Sequence, residues 1–270
     1  MGSDSTLNPD IINNTYFYSK SEFKVFGASV QGVSHRKSNR SCEDAYAFRY
    51  AGVYLIIAVA DGVSSVNNGG KGAEIAVNGA VDACSEMIRK GETQGELLIS
   101  EGISAGRKAI LDHAYLEGMP LSSYATTLLL VCISENKVFC GHIGDGAVIC
   151  VKNEDIHILS EPVRCEYANE TTVLTGSDWK CALRRSSGEC DVVILVTDGC
   201  QNALLRRKNA QFFPYNPFIL PLVRSLPDYV RKGEDVNQAI SDLLFSEKMQ
   251  ALSSDDMTLV IAFKSPGETK

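Results

Sequence analysis

The chain has 270 residues, of which 44% are apolar and 22% are charged, an ordinary balance for a globular protein that folds alone. Its formal net charge is −7, and it has no basic block that could follow a phosphate backbone, so we expect no nucleic acid ligand. Residues 1–20 lack the apolar core of a signal peptide, and no later stretch reaches membrane-spanning length. The sequence therefore predicts a protein without membrane attachment.

The nine cysteines include no Cys-x-x-Cys pair. Cys84, Cys132, Cys140 and Cys150 lie inside apolar runs, where a free thiol packs as a small hydrophobe. Disulfide scaffolds are typical of short secreted chains. We therefore predict free thiols and a reducing, cytoplasmic compartment.

Apolar patterns in chain order predict strands interrupted by helices. Residues 1–20 carry no period and are expected to form a loose arm before one domain at 21–270. The predicted strands are 22–31, 44–50, 53–60, 125–133, 137–143, 147–151, 156–159, 192–197 and 257–263, with 125–159 as a meander. The predicted helices contain 73–87, 99–113 and 236–244. This order indicates an α+β fold with two stacked sheets and helices on the outer faces.

Acidic residues recur at the predicted strand ends, most of them next to glycine. They form the segments Glu43-Asp44, Asp61-Gly62, Gly144-Asp145-Gly146, Asp198-Gly199 and Asp255-Asp256. A single Asp-Gly pair is most simply a turn, and adjacent acidic residues in a strand point to opposite faces. Several carboxylates gathered at one rim, however, repel one another unless a divalent cation neutralises them. The ordered set therefore predicts a metal site.

Longer motifs surround these acidic residues. They are the segment from Gly32 to Asp44, Val59-Ala60-Asp61-Gly62, Ala125-Thr126-Thr127-Leu128, Ile143-Gly144-Asp145, Leu195-Val196-Thr197-Asp198-Gly199 and Asp255-Asp256-Met257-Thr258. The series resembles the metal-dependent protein phosphatase family, the type 2C serine/threonine phosphatases, from about Gly27 to Phe263. The resemblance implies an α-β-β-α sandwich, two central antiparallel sheets flanked by helices, and a single phosphatase catalytic domain at 21–270.

The resemblance also implies a site for two Mn²⁺ or Mg²⁺ ions, with a third in some members. Carried over by position, Asp61 would bridge the two ions. Glu43 and the Gly62 carbonyl would bind one ion, and Asp198 and Asp255 the other. Such an all-oxygen ligand set favours these metals over zinc.

Two further positions complete the implied chemistry. Asp44 would hold metal-bound water, and Asp145 matches the position that supports the third ion. The implied reaction is hydrolysis of protein phosphoserine and phosphothreonine by a metal-activated water. We expect a monomer whose substrates are phosphoproteins made by a serine/threonine kinase.

The phosphate-binding arginine is where the sequence departs from the family. That arginine normally lies four residues before the position of Glu43, but Asn39 stands there, between Arg36 and Arg40. A planar guanidinium can bind phosphate with two hydrogen bonds. We favour Arg36 as the catalytic phosphate clamp, displaced by a three-residue insertion, and keep Arg40 as the alternative.

The general acid is left open. Many family members carry a histidine directly after the residues that match Asp61-Gly62, where Val63 and Ser64 stand here. We keep His35 as a residue of interest, in the loop before the Glu-Asp pair. The other histidines lie on or near apolar patterns and are predicted to be structural: His113, His142 and His157.

The segment from Glu161 to Glu189, polar and with the lone Trp179, is interpreted from its placement as a flap that shapes substrate choice. The basic clusters Arg184-Arg185 and Arg206-Arg207-Lys208 are predicted to be solvated faces.

Two other functions are considered. A catalytically degenerate family member acting as a phosphoprotein-binding or sensing module would usually have lost metal ligands, whereas Glu43, Asp61, Asp198 and Asp255 are all present. A carboxylate-metal nuclease would need a basic stripe that the chain lacks.

Overall fold

The computed structural model describes residues 21–162 and 172–265. The predicted N-terminal arm at 1–20 lies outside these residues. The strands are β1 (Phe23–Val30), β2 (Asp44–Ala51), β3 (Tyr54–Asp61), β4 (Leu128–Ser134), β5 (Lys137–Ile143), β6 (Ala147–Lys152), β7 (Asp155–Ser160), β8 (Arg184–Glu189), β9 (Val192–Val196), β10 (Leu205–Lys208), β11 (Gln211–Pro214) and β12 (Met257–Lys264). The helices are α1 (Val33–Ser38), α2 (Gly69–Arg89), α3 (Gly95–Leu116), α4 (Trp179–Ala182), α5 (Gln201–Leu204), α6 (Asn216–Lys232), α7 (Val236–Phe245) and α8 (Glu247–Gln250).

Two five-stranded antiparallel sheets stack to form the centre of the molecule. One has the order β1-β12-β9-β6-β7 and the other β2-β3-β4-β5-β8, while β10 and β11 form a separate hairpin. Apolar side chains such as Leu55, Val131 and Leu195 fill the space between the sheets. The predicted α+β sandwich of two antiparallel sheets flanked by helices is confirmed.

Helices cover the outer face of each sheet. α2 and α3 pack on the sheet that contains β3, and α6 and α7 pack on the sheet that contains β12. The central strands are consequently buried on both faces, as the burial of Leu55 to Ala60 in β3 shows. This double burial explains why the sequence shows continuous apolar runs where a half-buried strand would alternate.

The prediction of one continuous meander over 125–159 is wrong. β4 and β5 pair in one sheet, but β6 pairs with β9 in the other. The chain crosses between the sheets at Gly144, whose φ of +117° favours glycine. A Cβ atom there would also lie 2.5 Å from the Thr127 side chain. This crossing puts Asp145 between the ends of the two sheets.

Several elements were not predicted, and α6 and β8 show why. α6 was missed because Pro221 and Pro227 lie inside it, and proline normally interrupts a helical pattern. β8 was missed because its residues, beginning with Arg184, are polar. It pairs only with β5 and forms the edge of its sheet, where one face of a strand remains in solvent.

The cysteine prediction is wrong at one position. Cys150 forms a disulfide with Cys190, with their Cα atoms 5.5 Å apart. Cys84, Cys132 and Cys140 are buried free thiols, as predicted. Within 21–162 and 172–265, no helix is long and apolar enough to cross a membrane.

Candidate metal centre

The strand ends that carry the acidic residues converge at one end of the sandwich. Asp44 begins β2 and is paired across the ladder with Asp61, which ends β3. In the other sheet, the Thr197 amide donates to the Thr258 carbonyl at 3.2 Å. Because β9 and β12 are antiparallel, this contact brings the residues after β9 and those before β12 together. Asp198 and Asp255 consequently reach the same end of the molecule.

A cavity of about 670 Å³ opens at this end. Five carboxylates line it, together with Gly62, namely those of Asp61, Asp145, Asp178, Asp198 and Asp255. Glu43 and Asp44 line a separate cavity of about 450 Å³. The Gly62 amide donates to the Glu43 carbonyl at 3.1 Å, so a backbone hydrogen bond joins the walls of the two cavities.

Gly62 is required by close packing. A Cβ atom at this position would lie 2.3 Å from the Gly69 carbonyl carbon. The absence of a side chain lets the N-terminus of α2 pack against the end of β3. The Asp-Gly pair is therefore more than a turn, because it joins the first buried helix to the acidic strand end.

Burial and mutual repulsion perturb these carboxyl groups strongly. Burial, followed by the charges of Asp44 and Asp198, raises the pKa of Asp61 well above its ordinary value. Burial raises the pKa of Asp44 to about 8. Burial, followed by the charges of Asp145 and Asp255, raises the pKa of Asp198 to about 7. A bound cation would relieve this repulsion and restore the ionised forms.

Several buried carboxylate oxygens also lack a hydrogen-bond donor among the described residues. They are Oε2 of Glu43, Oδ1 of Asp44 and Oδ1 of Asp198. A buried acceptor without a partner is costly, and native proteins seldom leave one unsatisfied. Hard oxygen donors are the ligands that Mg²⁺ and Mn²⁺ prefer. These atoms therefore fit a hard divalent cation.

The cluster is nevertheless not a closed metal cage. In the part of the chain that the structure describes, no group of three or more His, Cys, Asp or Glu side chains is arranged to enclose an ion by itself. Mg²⁺ usually keeps several waters and takes only one or two carboxylates. The open arrangement therefore suits hydrated ions that each contact few protein atoms.

Threonine hydroxyls hold two of the carboxylates in place. Oδ2 of Asp44 accepts hydrogen bonds from Oγ1 of Thr197 at 2.7 Å and Oγ1 of Thr258 at 2.8 Å. These two bonds connect the sheets. Oγ1 of Thr126 donates to the Asp61 carbonyl at 2.9 Å, which fixes the end of β3. The threonines of the sequence motifs thus support the acidic residues.

Asp256 is a site residue that the sequence reasoning did not assign. It is 3% exposed, and its carboxylate accepts from the amides of Gly32 at 2.7 Å and Glu43 at 2.6 Å. Its Oδ2 also lies 2.8 Å from Nδ1 of His35. The sequence held the clue, because adjacent residues at a strand start point in opposite directions, Asp255 toward the cavity and Asp256 inward.

His35 belongs to this group. Its other ring nitrogen, Nε2, lies 3.1 Å from Oγ of Ser64, which lines the large cavity. His142, by contrast, is fully buried in β5, with Nδ1 2.8 Å from Oγ of Ser160. Burial lowers the pKa of His142 well below its ordinary value, consistent with the predicted structural role.

The two candidate arginines lie in different places. Nη2 of Arg40 is 2.5 Å from Oε1 of Glu43, and its Nη1 donates to the Ser64 carbonyl at 2.6 Å. Arg36 instead donates to Oε1 of Gln250 at 2.5 Å and lies over the Phe245 ring. The predicted insertion is folded into the helical turn α1, which directs Arg36 away. The structure brings Arg40, and not Arg36, to the acidic residues.

Arg184 was predicted to lie on a solvated face, and this is wrong. Its side chain is half-buried, and Nη2 donates to the Gly144 carbonyl at 3.0 Å. The same Nη2 lies 2.8 Å from Nδ1 of His142. Gln201, the first residue of α5, donates from its side chain to the Asp145 carbonyl. Together these side chains fix the crossing loop that carries Asp145.

The predicted flap at 161–189 is only partly tested. Residues 163–171 lie outside the described residues. Residues 172–178 contribute to the lining of the large cavity, and Trp179 packs against the core beneath α2 and α3. Residues 184–189 form β8, so the flap prediction is wrong for that part.

Comparison with known proteins identifies the family. The model of the family described as Protein phosphatase 2C matches residues 31–244. Serine/threonine-protein phosphatase 3 of Escherichia coli (strain K12) is 28% identical over 249 residues, covering 89% of this chain and 98% of that protein.

Solved structures share the fold. A bacterial serine phosphatase superposes with a TM-score of 0.66 at 14% identity, covering 92% of this chain and all of that one. The catalytic domain of the serine threonine protein phosphatase PstP, solved with two manganese ions, superposes with a TM-score of 0.60 at 16% identity, covering 90% of this chain and 99% of that one. With a family model that spans most of its length, this chain belongs to the protein phosphatase 2C family of serine/threonine phosphatases.

Proposed function

We propose that the protein hydrolyses phosphoserine and phosphothreonine esters in phosphoproteins at a centre that binds two Mn²⁺ or Mg²⁺ ions. The proposal depends mainly on one observation. Buried carboxylates converge at one end of the molecule, and several of their own oxygens have no hydrogen-bond donor among the described residues. The raised pKa values of Asp61 and Asp198 indicate a site built for positive charge. The substrates would be phosphoproteins made by a serine/threonine kinase.

The residues divide into groups around the proposed ions. Glu43 and the Gly62 carbonyl would contact one ion, and Asp198 and Asp255 would contact the other. Asp61 would contact both ions. When bound, the ions would stabilise charge on the phosphoryl oxygens and supply an activated water. All five residues belong to one chain, so the proposed site needs no second copy.

Asp44 and Asp145 would act beside this pair. Oδ2 of Asp44 is fixed by two threonine hydroxyls, while its Oδ1 has no donor and can accept a hydrogen bond from water. Asp145, on the crossing loop, lines the same cavity as Asp61 and Asp198 and would support a third ion. Asp44 would thus orient a water, and Asp145 would add negative charge to the cavity.

For the phosphate clamp we propose Arg40 in place of Arg36. Arg40 bonds the Ser64 carbonyl on the cavity-lining loop and is partly exposed, with 36% of its side chain accessible. It can therefore exchange its contact with Glu43 for a substrate phosphate. Arg36 would have to leave Gln250 and Phe245 to do the same.

Release of phosphate from a phosphothreonine peptide tests the proposed function. The protein is assayed with Mn²⁺, with Mg²⁺ and with excess chelator, and peptide binding is followed in parallel by fluorescence anisotropy. We expect turnover with added metal and none in chelator. Tight peptide binding without turnover under every metal condition would instead identify the binding or sensing module, and equal turnover in chelator would remove the metal mechanism.

A further inference from the structure

The wall of the large cavity has an uneven charge distribution. Apart from the four carboxylates proposed as metal ligands, the described residues that line it are serine, threonine, valine, alanine and glycine, with one exception. The exception is Asp178, on the segment 172–178. Among the described residues, the charged side chain on this part of the wall is therefore an acidic one.

The backbone on both sides of Asp178 is anchored to the core. Leu174 is fully buried, and its amide donates to the Thr126 carbonyl at 2.8 Å. Trp179 packs against the core beneath α2 and α3, with the Arg107 guanidinium 5.5 Å from its ring centroid. The Cys181 amide donates to the Asp178 carbonyl at 2.8 Å. Asp178 thus has a defined position on the cavity wall.

The Asp178 side chain does not stabilise the described structure through a helix cap or an ion pair. It is exposed, it gives no capping hydrogen bond to α4, and it forms no ion pair with a described residue. The neighbouring cations Arg107 and Lys180 lie over the Trp179 ring. The carboxylate is therefore available to a ligand in the cavity.

Asp178 is also distinct from the proposed metal ligands. It is exposed, whereas the four acidic ligands that line the cavity are each partly buried. The cavity of about 670 Å³ is also much larger than a phosphoryl group, so residues flanking the phosphorylated one can enter it. A carboxylate on the wall would face those flanking residues.

We propose that Asp178 is a specificity-determining residue that selects phosphoprotein segments with lysine or arginine next to the phosphorylated residue. The inference rests on the proposed function and names its substrate class. Asp178 attracts a basic flank and repels an acidic one, and discrimination is the difference between the two. For a partly exposed pair, each effect corresponds to roughly a twofold to fivefold change in kcat/KM.

The test compares two phosphothreonine peptides of equal length, one flanked by arginines and one by glutamates. Asp178→Lys is measured beside Asp155→Lys, which makes the same change in net charge at an exposed position of β7 outside the cavity. We expect the wild type to prefer the arginine peptide. In Asp178→Lys the ratio of the two kcat/KM values should fall by more than about tenfold, because the arginine peptide exchanges attraction for repulsion, the glutamate peptide does the reverse, and these effects multiply. In Asp155→Lys it should stay within twofold of wild type.

An unchanged ratio in Asp178→Lys would overturn the proposal. An equal fall in both variants would also overturn it, because the preference would then follow net charge alone. Hydrolysis of para-nitrophenyl phosphate by the wild type with Mn²⁺ tests the proposed function separately. If the wild type hydrolyses neither this ester nor the peptides, the same ratio is measured as peptide affinity by anisotropy. An affinity ratio insensitive to Asp178→Lys would then refute the inference.

Discussion

Asp198→Asn is expected to stabilise the metal-free protein while removing its activity. Asp198 is mostly buried among carboxylates, and its Oδ1 has no hydrogen-bond donor. Asparagine has nearly the same shape but no charge. It should therefore remove repulsion from the cluster and, at the same time, one proposed ligand of the metal. Opposite effects on stability and function are expected where activity depends on a destabilised active site.

The magnitude follows from the pKa of Asp198, which burial and then Asp145 raise from 3.8 to about 7. Because the folded state binds this proton more tightly than the unfolded state, stability falls as pH rises from about 4 to about 7 and is lowest above 7. The difference between the folded-state and unfolded-state pKa values corresponds to a loss of about 4 kcal/mol of stability at pH 8. Relaxation of neighbouring groups reduces this loss. We therefore expect Asp198→Asn to raise the free energy of unfolding by about 2 kcal/mol, or the Tm by about 4–8 °C.

Thermal unfolding in chelator at pH 5 and pH 8 measures this effect. The Tm of Asp198→Asn should exceed that of wild type by more at pH 8 than at pH 5. Asp155→Asn, an exposed carboxylate on β7, serves as the control and should match wild type at both values. A lower Tm for Asp198→Asn than for wild type at pH 8 would refute the electrostatic reasoning.

Three further substitutions test individual residues. Asp61→Asn should abolish phosphate release in folded protein, because a neutral amide cannot serve two cations; circular dichroism checks the fold, and near-normal turnover would contradict the bridging role. Arg40→Ala should raise KM about tenfold or more while Arg36→Ala stays near wild type, and steady-state kinetics giving the reverse order would restore the sequence-based choice. Asp256→Ala should lower the free energy of unfolding by about 3 kcal/mol or more in urea, since it leaves the buried amides of Gly32 and Glu43 without acceptors; a loss under about 1 kcal/mol would argue against its anchoring role.

Most of the sheet framework could be predicted because the central strands are buried on both faces. β5, for example, was predicted at its observed bounds, 137–143. The acidic residues were also identifiable, since each stands beside a strand end. What local patterns could not give was the partner sheet of each strand. β6 follows β5 after a three-residue turn, yet it pairs with β9, far along the chain.

Prediction from the sequence failed where a contact joins distant residues, and where a segment interpreted as a loop is helical. The Cys150–Cys190 disulfide joins residues separated by 40 positions, and neither spacing nor compartment argument indicated it. Arg36 was favoured because an insertion in a loop can be aligned freely, whereas the segment is helical and ends at Asn39 with a φ of 54°. Asp256 was passed over because its role depends on amides from two distant segments.

Mn²⁺ titration with simultaneous measurement of bound metal and phosphate release tests the central claim most directly. Free Mn²⁺ is followed by electron paramagnetic resonance while a phosphothreonine peptide is hydrolysed in the same sample. If the carboxylates hold the ions that hydrolysis requires, turnover should rise as the sites fill, and Asp61→Asn should lose both bound Mn²⁺ and turnover. Full turnover by protein with less than one Mn²⁺ bound per chain would contradict the account.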